Sequence, residues 1–264
     1  MTIRRLLLSL TLAVAVQMPD AALTQTAENA EIAPTGTLRV GMNSANTTLV
    51  TRTPDGRVAG ISVDLATFIA GKLGVPYEPV LYPGSEAYTA SFGKGAWDLI
   101  VTGRNAFAAT MVDFSADVIL IEFLFVAAPG RQFADASHVD RAGIRIGVAR
   151  NASADEYLGR TLTSAELVRT AGDIAAGIDL LRNNQADIYA TVTDTAIAMA
   201  DRLPGATIIP GVFNTVGFAV AMPKGRSSVA KGRLAQIVSE AKAAGILQQA
   251  IDRSGLRGVR VAPD

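Results

Sequence analysis

The chain of 264 residues has no cysteine. No disulfide framework can hold it, no thiolate can ligate a metal, and no lipid-bearing cysteine can tether its mature N-terminus. Histidine is nearly as scarce. The single one, His138, sits in the polar stretch DASHVDRAG and reads as exposed. A metal site would therefore have to be built from oxygens alone, and no spacing of that kind occurs; neither a metal nor another cofactor is expected. The charges show no surplus, with 24 Lys and Arg against 24 Asp and Glu. A nucleic-acid partner would call for a basic face, and none is indicated. Beyond the N-terminus no apolar run approaches the roughly 20 residues of a membrane helix; even VILIEFLFVAA is broken by Glu122. Tryptophan occurs once, as Trp97, and reads as core.

What is present is the composition of a globular protein, 49% apolar and 6% aromatic. The length suits one large or two modest domains that fold without staples. The first residues are a separate object. A short basic segment, MTIRR, precedes the 11-residue apolar run LLLSLTLAVAV, which is too short to cross a bilayer of about 30 Å as a helix. Residues 1–27 therefore read as a secretory signal peptide, cleaved near Ala22 or Ala27. A twin-arginine signal is the lesser option, because Arg4 and Arg5 lack polar neighbours. Loss of Arg4, Arg5 and Asp20 leaves 22 basic and 23 acidic side chains. The mature protein is expected in a periplasm, free and without stable membrane insertion.

Downstream, strand and helix patterns alternate. Leu38 to Met42 reads as a strand. SVDLATFIAGKLG puts Leu65, Phe68, Ile69 and Leu73 on one helical face, with Ser62 as N-cap, Gly74 as stop and Pro76 beyond. VPYEPVLY reads as a strand, Glu86 to Gly93 as a short helix, and Leu99 to Val101 as a buried strand. The pattern then repeats: strand GIRIGVA, helix SADEYLGRTL, strand AELVRT, helix DIAAGIDLLRN, strand ADIYATV and helix DTAIAMADRL. Strand VGFAVAM precedes helices near Ser227–Ala243 and Ile246–Ser254. Such alternation predicts α/β architecture with a mostly parallel sheet. The extended runs Val118–Ala128 and Val216–Met222 join two units without a low-complexity linker.

This ordered series resembles the periplasmic solute-binding proteins of ABC importers, of the amino-acid-binding (family 3) type. The likeness is carried by LRVGM, PDGRVAGISVDLATFIAGKLGV, GAWDLIVTG, VDFS, IRIGVARNASADEYL and DIYATVTDTAIAMA, and covers nearly everything after residue 27. It implies a type II two-lobed α/β fold, each lobe a mostly parallel sheet flanked by helices, joined by two extended hinge crossings. Lobe one would span 36–128 plus 221–264, and lobe two 129–220. The implied partners are a small polar or zwitterionic ligand, captured by hinge closure, and an inner-membrane ABC permease; a monomer is expected.

The candidate binding residues follow the strand ends, where open α/β sheets take their ligands. Leu99–Val101 run into Thr102, Gly103, Arg104 and Asn105. Arg104 can fork two donors onto a carboxylate, or it is a surface arginine that merely follows a strand. The family's T-x-x-R helix arginine has no counterpart here, because the segment is two residues shorter and its position falls near Ala109. Asn151 and Ser153 fall where the resemblance places hydroxyl and N–H donors for the ligand carboxylate, with a plain Ser153 N-cap as the bland reading. Asp194 falls where it places the aspartate for the ligand ammonium, or it caps the following helix. Asn43 lies on the first strand's exit loop. The usual aromatic positions become Asn46, Leu49 and Ser85, so the pocket reads as more polar than typical, with Tyr82 and Tyr88 nearby. Glu122 serves either a hinge ion pair or a cationic ligand. Two other functions stay open. One is an exported cyclohexadienyl-dehydratase-like lyase, for which Glu122 and Asp194 would be the acid/base pair. The other is a sensor that presents its ligand to a receptor.

Overall fold

A computed structural model describes residues 28–53 and 55–263; the export segment read at 1–27 lies outside them. A helical turn at 28–32 leads into β1 (Leu38–Asn43), the hairpin β2 (Thr51–Arg52) and β3 (Val58–Ala59), α1 (Ile61–Leu73), β4 (Tyr77–Tyr82), α2 (Ser85–Ala90), β5 (Leu99–Gly103) and α3 (Ala106–Met111). The long β6 (Val112–Ala127) carries the chain onward to β7 (Arg145–Ala149), α4 (Ser153–Thr161), β8 (Glu166–Thr170), α5 (Ile174–Arg182), β9 (Ile188–Val192), α6 (Thr193–Arg202) and β10 (Thr207–Ile208). Then come β11 (Asn214–Pro223), α7 (Ser228–Ala243), α8 (Ile246–Ser254) and β12 (Val259–Val261). No helix among the described residues is long and apolar enough to cross a membrane.

The strands form one sheet in the order β4-β1-β5-β11-β6-β9-β7-β8, with β10 and β12 also on β6. Two halves share that sheet. In the first, β4, β1 and β5 are parallel and β11 runs against them. In the second, β8, β7 and β9 are parallel and β6 runs against them. Strand β6 belongs to both. Residues Val112 to Phe123 pair with β11, and residues Phe123 to Ala127 pair with β9. The alternation of strand and helix was legible; the short β2, β3, β10 and β12 carry too little pattern to be read.

The halves are built alike down to side chains. Each central strand begins Leu/Ile-Arg-Val/Ile-Gly, and each third strand follows an aspartate. Arg39 clamps Asp98: its backbone N–H and Nε donate to Oδ2 at 2.9 and 3.1 Å, and a terminal nitrogen donates to Oδ1 at 2.7 Å. Arg145 repeats the clamp on Asp187, with N–H and Nε at 2.9 and 3.1 Å from Oδ2 and a terminal nitrogen 3.2 Å from Oδ1. Burial by itself raises the Asp187 carboxyl, but the hydrogen bonds of Arg145 and the charge of Arg131 hold it below the usual range. Two residues on, Gly41 and Gly147 let an aromatic ring close in, Trp97 just before β5 and Tyr189 on β9. A Cβ would lie 3.0 Å from the Trp97 ring at one and 2.6 Å from the Tyr189 ring at the other. Trp97 is core, as expected, at 2% exposure.

Helix α1 starts two residues before the expected place. Its N-cap is Gly60, at φ 109, where a Cβ would sit 2.7 Å from the Leu49 carbonyl oxygen. Ser62 is buried inside the first turn and is not the cap. Gly74 ends the helix in the left-handed conformation, as read.

The Asp98 side chain is fully enclosed, whereas the Arg182–Asp179 pair is half exposed on both sides. Removing one partner of a buried pair costs about 3–5 kcal/mol, and an exposed pair is worth about 0–1 kcal/mol. Urea unfolding of Asp98→Ala is therefore expected to show a loss several times that of Asp179→Ala. Equal losses would mean that the clamp does not hold the strands.

Candidate functional site

The ends of β1, β5, β7 and β9, with the turns and helices after them, enclose one cavity of about 100 Å³ between the two halves. This is small beside the roughly 300–1,000 Å³ of pockets for drug-sized ligands. Its apolar wall includes Leu49, Phe92, Phe123 and Phe218. Tyr88 and Tyr189 also line it. Their hydroxyls meet the Val101 carbonyl at 3.2 Å and the Thr170 hydroxyl at 3.2 Å, and burial pushes both phenols above their ordinary range.

Six sequence-derived candidates share this wall: Asn43, Asn46, Thr102, Asn105, Asn151 and Ser153. They are not equally available. Asn43 is engaged within the protein, its Nδ2 donating to Ser85 Oγ at 3.1 Å and its Oδ1 accepting from the Ala45 N–H at 3.0 Å. Asn105 is the N-cap of α3, with Oδ1 accepting from the Ala108 N–H at 2.7 Å. Asn151 holds the left-handed turn after β7 at φ 59, a conformation that asparagine tolerates better than most residues. Its N–H donates to Asp155 at 3.0 Å. Ser153 is the first residue of α4; the cap position falls on Ala152, so Ser153 is not the N-cap. Asn46 differs from all of these. Its Oδ1 is buried and accepts no hydrogen bond among the described residues.

Three candidates stand elsewhere. Arg104 does not reach the cavity. At the end of β5 its N–H still pairs with the Gly217 carbonyl at 2.9 Å, so its side chain leaves by the opposite face from Gly103. There Nε donates to Asp117 at 3.0 Å, a terminal nitrogen donates to the Ser115 carbonyl at 2.6 Å, and the guanidinium lies 4.8 Å from the Phe114 ring centre. Asp194 is neither a wall residue nor a cap. The N-cap of α6 is Val192, which has no acceptor, and two residues further round the helix Asp194 turns to the C-terminal segment. It accepts the Arg257 N–H at 3.4 Å, while its Oδ2 is buried without a partner, and burial raises its carboxyl. Glu122 lies on β6 with its backbone tied to Gly258 and Thr193; among the described residues it has no ion pair and no part in the wall. The acid/base pair considered for catalysis is therefore outside the cavity.

Sequence reasoning missed Asp173. It is the one charged side chain among the described residues lining the cavity, and its Oδ1 accepts the Ala176 N–H at 2.7 Å as the cap of α5. The sequence does hold the signal: the carboxyl-end rule, applied to the end of AELVRT, leads straight to TAGD.

Contacts cross the cavity mouth directly. The Glu86 N–H donates to the Ala171 carbonyl at 3.0 Å, the Ala106 N–H to Glu156 Oε2 at 2.6 Å, and the hydroxyls of Thr47 and Thr195 meet at 3.3 Å. The first-half groups come from the loop after β1 and the starts of α2 and α3. The second-half groups come from α4, the loop after β8 and α6.

No family model matches the chain, and no curated protein matches its sequence. Solved structures do match in three dimensions. One is a mutant of the protein ArgBP from T. maritima, with 20% identity and a TM-score of 0.73, covering 86% of this chain and 99% of that one. The solute receptor for L-cysteine of Neisseria gonorrhoeae has 18% identity and a TM-score of 0.75, covering 89% and 99%. An ancestral amino-acid-binding protein, a precursor of cyclohexadienyl dehydratase, has 17% identity and a TM-score of 0.70, covering 85% and 97%. At such identities the likeness shows the fold. It is the two-lobed α/β fold of periplasmic binding proteins.

The placements generate two expectations. Arg104→Ala should leave affinity for the bound solute within about threefold, roughly 0.7 kcal/mol, because the side chain serves Asp117; a hundredfold loss by calorimetry would return Arg104 to the cavity. For Asp194, a carboxyl raised in the folded state favours folding below its unfolded value and loses that contribution as pH rises through the folded value. Asp194→Asn should therefore melt higher than wild type at neutral pH, with the gain fading as pH falls through the carboxylate range. An unchanged melting curve at pH 7 would show that Asp194 is adequately paired.

Proposed function

We propose that this chain is the periplasmic substrate-binding component of an ABC importer, capturing a small polar organic solute between its lobes and delivering it to an inner-membrane permease. One observation carries the reading: the cavity is walled by strand ends from both halves of the sheet, so a solute bound there touches both at once. Two of the neighbours, a receptor for L-cysteine and an ancestral amino-acid-binding protein, support it.

Binding and release then follow from a hinge. The two strand sets are the bodies that move, and the strands β6 and β11 that connect them along the chain are where they flex. A solute that contacts both bodies favours the closed arrangement by its differential affinity for that state. The export segment at 1–27 accounts for delivery to the periplasm. Catalysis is not part of the proposal: the two carboxylates considered for it, Glu122 and Asp194, lie outside the described wall.

The solute that co-purifies can be identified by mass spectrometry after denaturation. Small-angle scattering should then show a smaller radius of gyration on adding it back; an unchanged radius at saturation would count against closure. Gly84→Ala gives a second check. Its φ of −166 suits any residue, so folding should persist. Its Cβ, however, would lie 2.9 Å from the Ala171 carbonyl oxygen across the mouth. Affinity is expected to fall about tenfold, or 1.4 kcal/mol. Wild-type affinity would mean that binding does not need that approach.

A further inference from the structure

The charge inventory of the cavity is lopsided. Its described wall holds one carboxylate, Asp173, and no lysine, arginine or histidine. Two arginines in the neighbourhood are engaged, Arg104 by Asp117 and Arg169 by Asp155 at 2.8 Å, and Arg150, beside Asn151, is exposed and outside the wall. Helix starts do not redress the balance. Those of α4 and α6 lack a capping side chain, but their first turns carry Asp155 and Glu156 in one and Asp194 in the other. Such acids offset the positive end of a helix dipole. An anion entering here would meet the charge of Asp173 with no cation in the described wall to pair with.

The remaining groups fit the opposite ligand. Asn46 Oδ1 is a buried acceptor with no donor, and a buried acceptor left unpaired costs more than an ordinary hydrogen bond contributes. Asn46 belongs to the first half and Asp173 to the second, and an ammonium has donors enough for both. Around them stand Phe92, Phe123, Phe218, Tyr88 and Tyr189. Aromatic walls suit a short hydrocarbon body and attract cations to their faces.

We propose that the solute is a small organic ammonium compound without a free carboxylate, its nitrogen held by the charge of Asp173 and a hydrogen bond to Asn46 Oδ1. This deepens the solute-binding reading and rests on it. The cation would join the two halves through one group, which couples recognition to closure.

Calorimetry of the purified protein with four probes tests it: n-propylamine, L-alaninamide, propionate and L-alanine. The two cations should bind at least about tenfold more tightly than the anion and the zwitterion. Asp173→Asn keeps the α5 cap, since asparagine caps about as well as aspartate, and should weaken n-propylamine at least about tenfold. Asn46→Asp adds a second carboxylate and should tighten it. Propionate or alanine binding as tightly as the cations would overturn the ammonium assignment and leave solute capture standing. Unchanged n-propylamine affinity in Asp173→Asn would also overturn it. Silence with all four probes overturns it too. Silence together with no small molecule in the denatured extract would remove the solute-capture reading as well.

Discussion

Beneath each half of the sheet an aspartate is sealed from water and held by the arginine that opens that half's central strand. Asp98 and Asp187 each accept that arginine's backbone N–H and the fork of its guanidinium. The bond fixes where the third strand starts relative to the first. Because all these strands are parallel, it also fixes where their carboxyl ends finish. Much of what lines the cavity hangs from those ends: Asn43 on β1, Thr102 and Gly103 on β5, Ala149 on β7, Val192 on β9. A slip of one residue would turn each strand's side chains to the other face, so a pair of ionic clamps at the bottom of the molecule sets the geometry at its top.

The clamps recur because the two halves are the same construction, and the cavity lies where the copies face each other. They have diverged in what they offer. Both halves contribute amides, hydroxyls and aromatic rings, and the second adds the single carboxylate. Charges that elsewhere would compensate one another are satisfied within the protein: Arg104 by Asp117, Arg169 by Asp155, Asp194 only weakly by a backbone N–H. The wall is thus electrostatically sparse on both sides.

Much of this was legible in the sequence. Period and punctuation located the main strands and helices, since buried parallel strands such as LIVTG read as short apolar runs and glycines such as Gly74 mark helix ends. Six candidate residues at strand ends do meet in one cavity. What failed was local. Whether Arg104 points into the cleft depends on the parity of one residue at the end of β5, and Gly103 and Arg104 lie on opposite faces. Asp194 depends on where α6 begins; with Val192 as cap, two further residues rotate the carboxylate away. Ser62 was displaced as a cap by Gly60 because only glycine fits beside the Leu49 carbonyl. Asp173 went unnoticed because its capping role is complete in itself and hides that the same side chain borders a cavity.

The three hydrogen bonds across the mouth, from Glu86, from Ala106 and between Thr47 and Thr195, are made wholly by the protein. In the hinge cycle proposed above they would bias the empty molecule toward the shut form. A solute that binds only that form has its apparent dissociation constant raised by the inverse of the shut fraction, and a larger shut fraction relieves this handicap without any change at the cavity. In that proposed cycle the same contacts would break before the solute leaves. Grip and turnover would then be set at the rim: tightening it would lengthen residence time and slow hand-over, and loosening it would do the reverse, while the residues that choose the solute stay untouched.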